Sequence, residues 1–150
     1  MARTRLLIVD DHEIFRKGLR SLVESSPDLE ICGEAANGIE AIEAARKLLP
    51  DIILMDISMP LMNGLDASKQ IRRELPQSRI LVLSQHDSSH LLTAAIEAGA
   101  SGYVTKSQVA HHLLVALEAV AAGQSFPWTT ELEAVSPKSG TEGASKKRPV

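Results

Sequence analysis

The chain has 150 residues, 44% hydrophobic and 23% charged, the size of one domain or one domain with an appendage, and aliphatic enough to build a core with only 3% aromatics. A net charge of −3 argues against a whole-surface nucleic-acid binder, and a single cysteine, Cys32, excludes an internal disulfide framework. No apolar run reaches the roughly 18 residues of a membrane span, and acid follows the first apolar run too soon for a signal peptide, so a cytoplasmic protein is expected.

Short apolar runs at Leu6–Val9, Leu29–Cys32, Ile52–Met55, Ile80–Leu83 and Tyr103–Val104 read as strands. Each precedes a helical stripe. The first is Ile14, Leu19, Leu22 and Val23, and the second is Ile39, Ile42, Ala45 and Leu48–Leu49. Leu65, Ser68, Ile71 and Leu75 form the third, and Leu91, Leu92, Ala95 and Ile96 the fourth. Val109, Leu113, Leu114, Leu117 and Val120 form the fifth. Pro27, Pro50 and Pro76 close helical patterns, and Asn37-Gly38 opens one. This alternation predicts a parallel sheet with helices on both faces. The first and third runs are continuously apolar, as in strands covered on both sides.

The composition changes near Gly123. Of the last 28 residues, 13 are Gly, Pro, Ser or Thr, and apolar periodicity stops. Residues 1–122 therefore read as the folded domain and 123–150 as a flexible linker or tail. Its Lys146-Lys147-Arg148 cluster reads as a solvated end. Cys32 reads as a small core residue. His111 and His112 fall on the last helix, with at least one on its solvated face.

Right-handed crossovers put the carboxyl ends of parallel strands on one edge, where open α/β sheets bind ligands. Strand one ends in Asp10-Asp11, strand three in Asp56 and strand four in Ser84, and Lys106 follows strand five. A flavodoxin-like order, 2-1-3-4-5, makes strands one and three neighbours. Singly, Asp10 and Asp11 could cap a helix, Asp56 and Ser84 could be loop residues, and Lys106 could be a solvated lysine. Jointly they form a site. Clustered carboxylates repel one another unless a cation compensates. Mg²⁺ takes oxygen ligands and keeps several waters. Metal, ammonium and hydroxyl beside a carboxylate nucleophile make a phosphoryl-transfer arrangement. His12, His86 and His90 lack metal-ligand spacing.

The pieces LLIVDDHEIFRKGL, DIILMDISMPLMNGLD, RILVLS and GASGYVTK resemble the receiver domain of bacterial two-component response regulators. The Asp-Asp-His opening and GASGYVTK followed by AVAAG are most similar to the LuxR-type (NarL/FixJ) subfamily. The resemblance implies a flavodoxin-like doubly wound (βα)5 fold. It implies that Asp56 accepts a phosphoryl group from a sensor histidine kinase. It also implies Mg²⁺ on Asp11, Asp56 and the Ser58 backbone carbonyl, with Asp10 supporting through water or a second layer. Lys106 would pair with phosphoryl oxygens, Ser84 would be the switch hydroxyl and Tyr103 the coupled aromatic, entering space that Ser84 vacates. Such a domain is a switch, not a turnover enzyme, although it assists its own phosphotransfer and autodephosphorylation.

Gln85 stands where the family usually has a small residue, and Ser107 where it often has proline. Ser58 and His86 occupy positions that tune dephosphorylation in the family. LuxR-type regulators usually act on DNA through a helix-turn-helix module. No such helical period follows Ala122, so DNA binding requires an output domain absent from these residues. Phe126, Pro127 and Trp128 either pack back on the domain or mark an output connection. A homodimer through the Val109–Val120 stripe competes with burial of that stripe on the sheet, which is the favoured reading. Other readings are a haloacid-dehalogenase-type enzyme with Asp10 as nucleophile, disfavoured by His12 two residues on, and a dinucleotide enzyme, disfavoured by the missing glycine-rich loop. The remaining rival is a degenerate receiver that signals without phosphorylation.

Overall fold

The computed structural model describes residues 3–86 and 88–126. Strands and helices alternate as β1 (Thr4–Val9), α1 (Glu13–Glu24), β2 (Leu29–Ala35), α2 (Gly38–Leu48), β3 (Ile52–Asp56), α3 (Gly64–Glu74), β4 (Arg79–Ser84), α4 (Ser89–Glu97), β5 (Gly102–Thr105) and α5 (Val109–Ala121). A single 3-10 turn, Lys106–Gln108, joins β5 to α5. The five strands are parallel in the order β2-β1-β3-β4-β5, as the flavodoxin-like expectation required.

Strand periodicity divides the core. Leu7, Val9, Ile53, Met55, Ile80 and Val82 face α2, α3 and α4, whose Ile42, Ile71 and Leu92 close over them. Their neighbours Leu6, Ile8, Ile52, Leu54, Leu81 and Leu83 face α1 and α5, meeting Leu19, Val23, Leu113 and Leu117. Both faces of β1 and β3 are therefore dry, which is why these strands alternate nothing in sequence. Side-chain oxygens start the helices on the first face. Asn37 accepts from the Glu40 amide at 2.9 Å, Asn63 from the Asp66 amide at 2.9 Å, and Ser88 from the His90 amide at 3.2 Å.

Some stripe positions behave otherwise than their spacing suggests. Ile14, Ile39 and Leu49 are exposed. Ile14 and Ile39 lie in first turns, before the helix has settled onto the sheet, and Leu49 ends α2 in the left-handed region at φ 49°. Cys32 is half-buried in the edge strand β2 rather than in the core. His111 and His112 are both exposed. Val109, Leu113, Leu117 and Val120 are buried against the sheet, so this stripe offers no face to a second copy. The chain packs on past residue 122. Phe126 forms a parallel bridge with Gly102, accepting from the Tyr103 amide at 2.7 Å and donating to Ser101 O at 3.1 Å. Pro127, Trp128 and the remaining tail residues lie outside the described residues.

Two glycines show how tightly the site edge is built. A Cβ on Gly64 would lie 2.0 Å from the Asp56 carbonyl oxygen, because the first residue of α3 presses on the end of β3. Gly18, in the middle of α1, would meet nothing within 4 Å. Gly64→Ala should destabilise by about 1–3 kcal/mol through forced backbone displacement, whereas Gly18→Ala should stabilise by roughly 0.5–1 kcal/mol. Urea unfolding midpoints measure both, and equal shifts for the two variants would refute the packing argument.

Candidate functional site

The carboxyl edge of the sheet collects the expected groups. β1 delivers Asp10, whose amide donates to Ala35 O at 3.1 Å. β3 delivers Asp56 from the neighbouring strand. Asp10 is fully buried and Asp56 is 1% exposed, while Asp11 is half-buried at the rim. Lys106, carried by the 3-10 turn after β5, reaches in with its Nζ 2.6 Å from Asp10 Oδ2 and 3.4 Å from Asp56 Oδ2. The same ammonium lies 4.5 Å from the centre of the Phe15 ring, which keeps water from it and adds cation–π attraction.

The charge balance is incomplete. Lys106 divides one charge between two buried carboxylates, closer to Asp10 Oδ2 than to Asp56 Oδ2, and Asp11 Oδ1 faces the His12 ring at 3.1 Å. Burial raises the Asp56 carboxyl to about 6, helped by the Asp10 charge and opposed by Lys106 and the Ser58 amide. That amide donates to Asp56 Oδ1 at 3.3 Å. Buried carboxylate oxygens that share too little positive charge suit a divalent cation with oxygen preference. The ligand atoms of Asp10, Asp11, His12 and Asp56 all lie within 4.8 Å of one another.

Ser84 and Tyr103 are placed differently. Both are buried, but both turn to the β4–α4 loop rather than to the carboxylates. Ser84 Oγ donates to the His86 carbonyl at 3.0 Å and accepts from the His86 amide at 3.1 Å. Tyr103 donates its hydroxyl to the same carbonyl at 2.5 Å. Tyr103 is thus inward before any movement of Ser84, because the His86 carbonyl satisfies its hydroxyl there. The side chains of Gln85, His86 and Ser58 are exposed at the rim.

Phe15 and Arg16 escaped the sequence reading, and His12 entered it only as a histidine without metal-ligand spacing. His12 Nδ1 lies 3.2 Å from Asp10 Oδ1 and 3.1 Å from Asp11 Oδ1. Phe15 lies beneath Lys106. Arg16 donates to Asp10 O at 2.5 Å and is steered by Glu34 of β2 at 3.1 Å. His12 and Arg16 are four apart and so share one helical face, a spacing signal that was available.

The raised Asp56 value has a consequence for folding without metal. The folded value of about 6 exceeds the ordinary 3.8, so the folded protein holds the extra proton between these limits. The favourable contribution is present below pH 3.8 and is lost as pH rises through about 6. Asp56→Asn, which never ionises, should therefore be more stable than the wild type at neutral pH in chelator, by on the order of 2 kcal/mol. The difference should vanish in acid. Denaturant titrations across pH check this, and a wild type of equal or greater stability at neutral pH would contradict it.

The model of the response regulator receiver domain family matches residues 6–118. The transcriptional regulatory protein LiaR of Bacillus subtilis (strain 168) is 42% identical over 120 residues, covering 80% of this chain and 57% of LiaR. The nitrate/nitrite response regulator protein NarL of Escherichia coli (strain K12) is 40% identical over 119 residues, covering 79% of this chain and 55% of NarL. The chain spans a little over half the length of these curated relatives. A LuxR-family two-component response regulator from Aurantimonas sp. SI85-9A1 superposes with a TM-score of 0.84 at 37% identity, covering 93% of this chain and 100% of that one. The isolated receiver domain of RcsB from Salmonella enterica serovar Typhimurium, in the presence of the phosphomimetic BeF3⁻, has a TM-score of 0.78 at 28% identity, covering 87% and 97%. With its sheet order, its acidic edge and this similarity along the folded chain, the protein belongs to the response regulator receiver domain family of two-component signal transduction.

Proposed function

We propose that Asp56 is the phosphoacceptor of this receiver and that a sensor histidine kinase supplies the phosphoryl group. The observation that supports it most is the Asp56 carboxylate itself: buried and 3.4 Å from the Lys106 ammonium. Its raised value near 6 leaves it mostly ionised at neutral pH and a better nucleophile than an ordinary carboxylate. In transfer, an Asp56 oxygen bonds to phosphorus as the phosphorus–nitrogen bond of the kinase phosphohistidine breaks. The electron pair returns to the imidazole, and an acyl phosphate remains on Asp56.

Mg²⁺ fits the donor set, with Asp11, Asp56 and the Ser58 carbonyl as ligands and Asp10 outside them, already paired to Lys106. When bound, the ion supplies positive charge to the transferring oxygens. Lys106 supplies the other positive charge, and Phe15 beneath it preserves its strength by excluding water. Ser84 is the switch hydroxyl, and Ser58, Gln85 and His86 tune access and dephosphorylation at the exposed rim.

A phosphoryl group adds roughly −1.5 to −2 charges and three acceptor oxygens. Those oxygens compete with the His86 carbonyl for the Ser84 hydroxyl. The carbonyl then keeps Tyr103 alone, so the two residues are coupled through one shared acceptor rather than through vacated space. The loop before α4 loses a tether, and the α4–β5–α5 surface is the readout. Residues 1–122 act as the receiver, residues 123–150 serve as linker or tail with Phe126 docked on β5, and the output is transcriptional, through a DNA-binding domain beyond these residues. Self-association, where it occurs, uses a surface other than the buried α5 stripe.

Asp56→Asn should incorporate no phosphate from acetyl phosphate and Mg²⁺, because an amide does not attack the donor. Asp11→Ala should fold yet also fail to incorporate it, with Mg²⁺ affinity falling by tenfold or more, on the order seen when a ligand is lost. Intact mass and calorimetry read these outcomes. Phosphate on Asp56→Asn would assign the acceptor to Asp10 or Asp11.

Gln85→Ala should change stability by no more than about 0.5 kcal/mol, as an exposed substitution, and should speed phosphorylation by small donors if the amide screens the rim. A rate equal to or below that of the wild type would end the steric explanation.

A further inference from the structure

His12 is an unusual residue to begin a helix. It occupies the cap position of α1 with extended backbone, φ −98° and ψ 108°, but its side chain makes no capping hydrogen bond. Ser, Thr, Asp or Asn would normally stand here and accept from the first turn. Instead the ring turns back over the acidic edge, with Nδ1 at 3.1 Å from Asp11 Oδ1 and 3.2 Å from Asp10 Oδ1. Its own amide donates to Asp10 Oδ1 at 2.8 Å, which fixes the backbone that aims it.

We propose that His12 is a metal-selecting residue: its Nδ1 joins Asp11 and Asp56 as a ligand and biases the edge towards borderline first-row cations of the Fe²⁺ and Co²⁺ class. The inference rests on reading this edge as a divalent-cation site. Three observations support it. The nitrogen and carboxylate oxygens lie within one 4.8 Å cluster. Adjacent ligands of an octahedral ion with bonds of about 2.1 Å are about 3 Å apart, close to the 3.1 Å between His12 Nδ1 and Asp11 Oδ1. Finally, Asp56 is 1% exposed and its Oδ2 has the Lys106 ammonium at 3.4 Å but no aligned hydrogen bond, so this oxygen is left short of positive charge. The imidazole is 56% exposed and reachable from solvent. Chemistry then decides selectivity. Imidazole nitrogen suits borderline transition ions, whereas Mg²⁺ prefers oxygen and water and draws little from it. One side chain at the rim would thus let the edge take such an ion in competition with Mg²⁺.

The test uses Co²⁺ and Mg²⁺ as separate probes on the wild type and on His12→Ser, which restores a capping hydroxyl and protects α1. Calorimetry should show Co²⁺ affinity falling by about tenfold or more in His12→Ser, with Mg²⁺ affinity changing less than twofold. Proton NMR of the Co²⁺-loaded wild type should show a strongly shifted imidazole N–H resonance that disappears in His12→Ser. A resonance persisting in the variant would belong to another exposed histidine and would overturn the proposal. So would parallel loss of both ions, or tighter Mg²⁺ binding in His12→Ser, which would make the imidazole a donor that occupies the acids in place of the ion. A wild type that binds neither cation would instead refute the metal-site reading beneath it.

Discussion

Two carboxylates with almost no solvent contact stand side by side at the ends of β1 and β3, and the edge around them is organised by their repulsion. Lys106 answers part of that charge, but one ammonium cannot neutralise Asp10, Asp11 and Asp56 together. The residue of the imbalance appears as an Asp56 carboxyl raised to about 6 and as buried carboxylate oxygens that share one ammonium. Such an arrangement is costly to fold, because buried carboxylates lose their hydration, and it favours added positive charge. A core of aliphatic strands covered on both faces supplies the stability that the acidic edge consumes.

The surrounding parts follow from holding that edge still. Gly64 allows α3 to press on the Asp56 carbonyl, so the backbone carrying Asp56 has little room to move. Arg16 grips the Asp10 carbonyl and is itself steered by Glu34 of the adjoining strand. Phe15 lines the approach of Lys106. By contrast, the described part of the β4–α4 loop gathers two hydrogen bonds on the single His86 carbonyl. Rigid charge-bearing strands beside that shared acceptor give a local charge change somewhere to be expressed.

Much of this was legible in the chain. Alternating apolar runs and helical stripes named five strands and five helices in order. The motif residues named the sheet edge, since the residue after a parallel strand has only one end of the sheet to occupy. The errors fall where periodicity carries no information. Ile14 and Ile39 fit a helical stripe but lie in first turns, and Leu49 fits its end but caps it in a left-handed conformation. Cys32 fits an apolar strand, yet an edge strand covers its residues on fewer sides. Phe126 sits in a stretch that composition assigns to a tail, but two backbone hydrogen bonds, to which composition is blind, hold it against β5.

The sequence by itself determined the fold class, the strand-end carboxylates, the lysine and the family, because these depend on residue type and on spacing along one element. Only the tertiary structure decided how the charges pair, that Asp56 lies dry between Asp10 and Lys106, that Ser84 and Tyr103 share the His86 carbonyl, and that His12 faces the acids instead of capping its helix. Those facts depend on distances between groups from β1, β3, β4 and β5. Burial and Coulomb interaction vary over a few ångströms, and no single element's sequence specifies such distances.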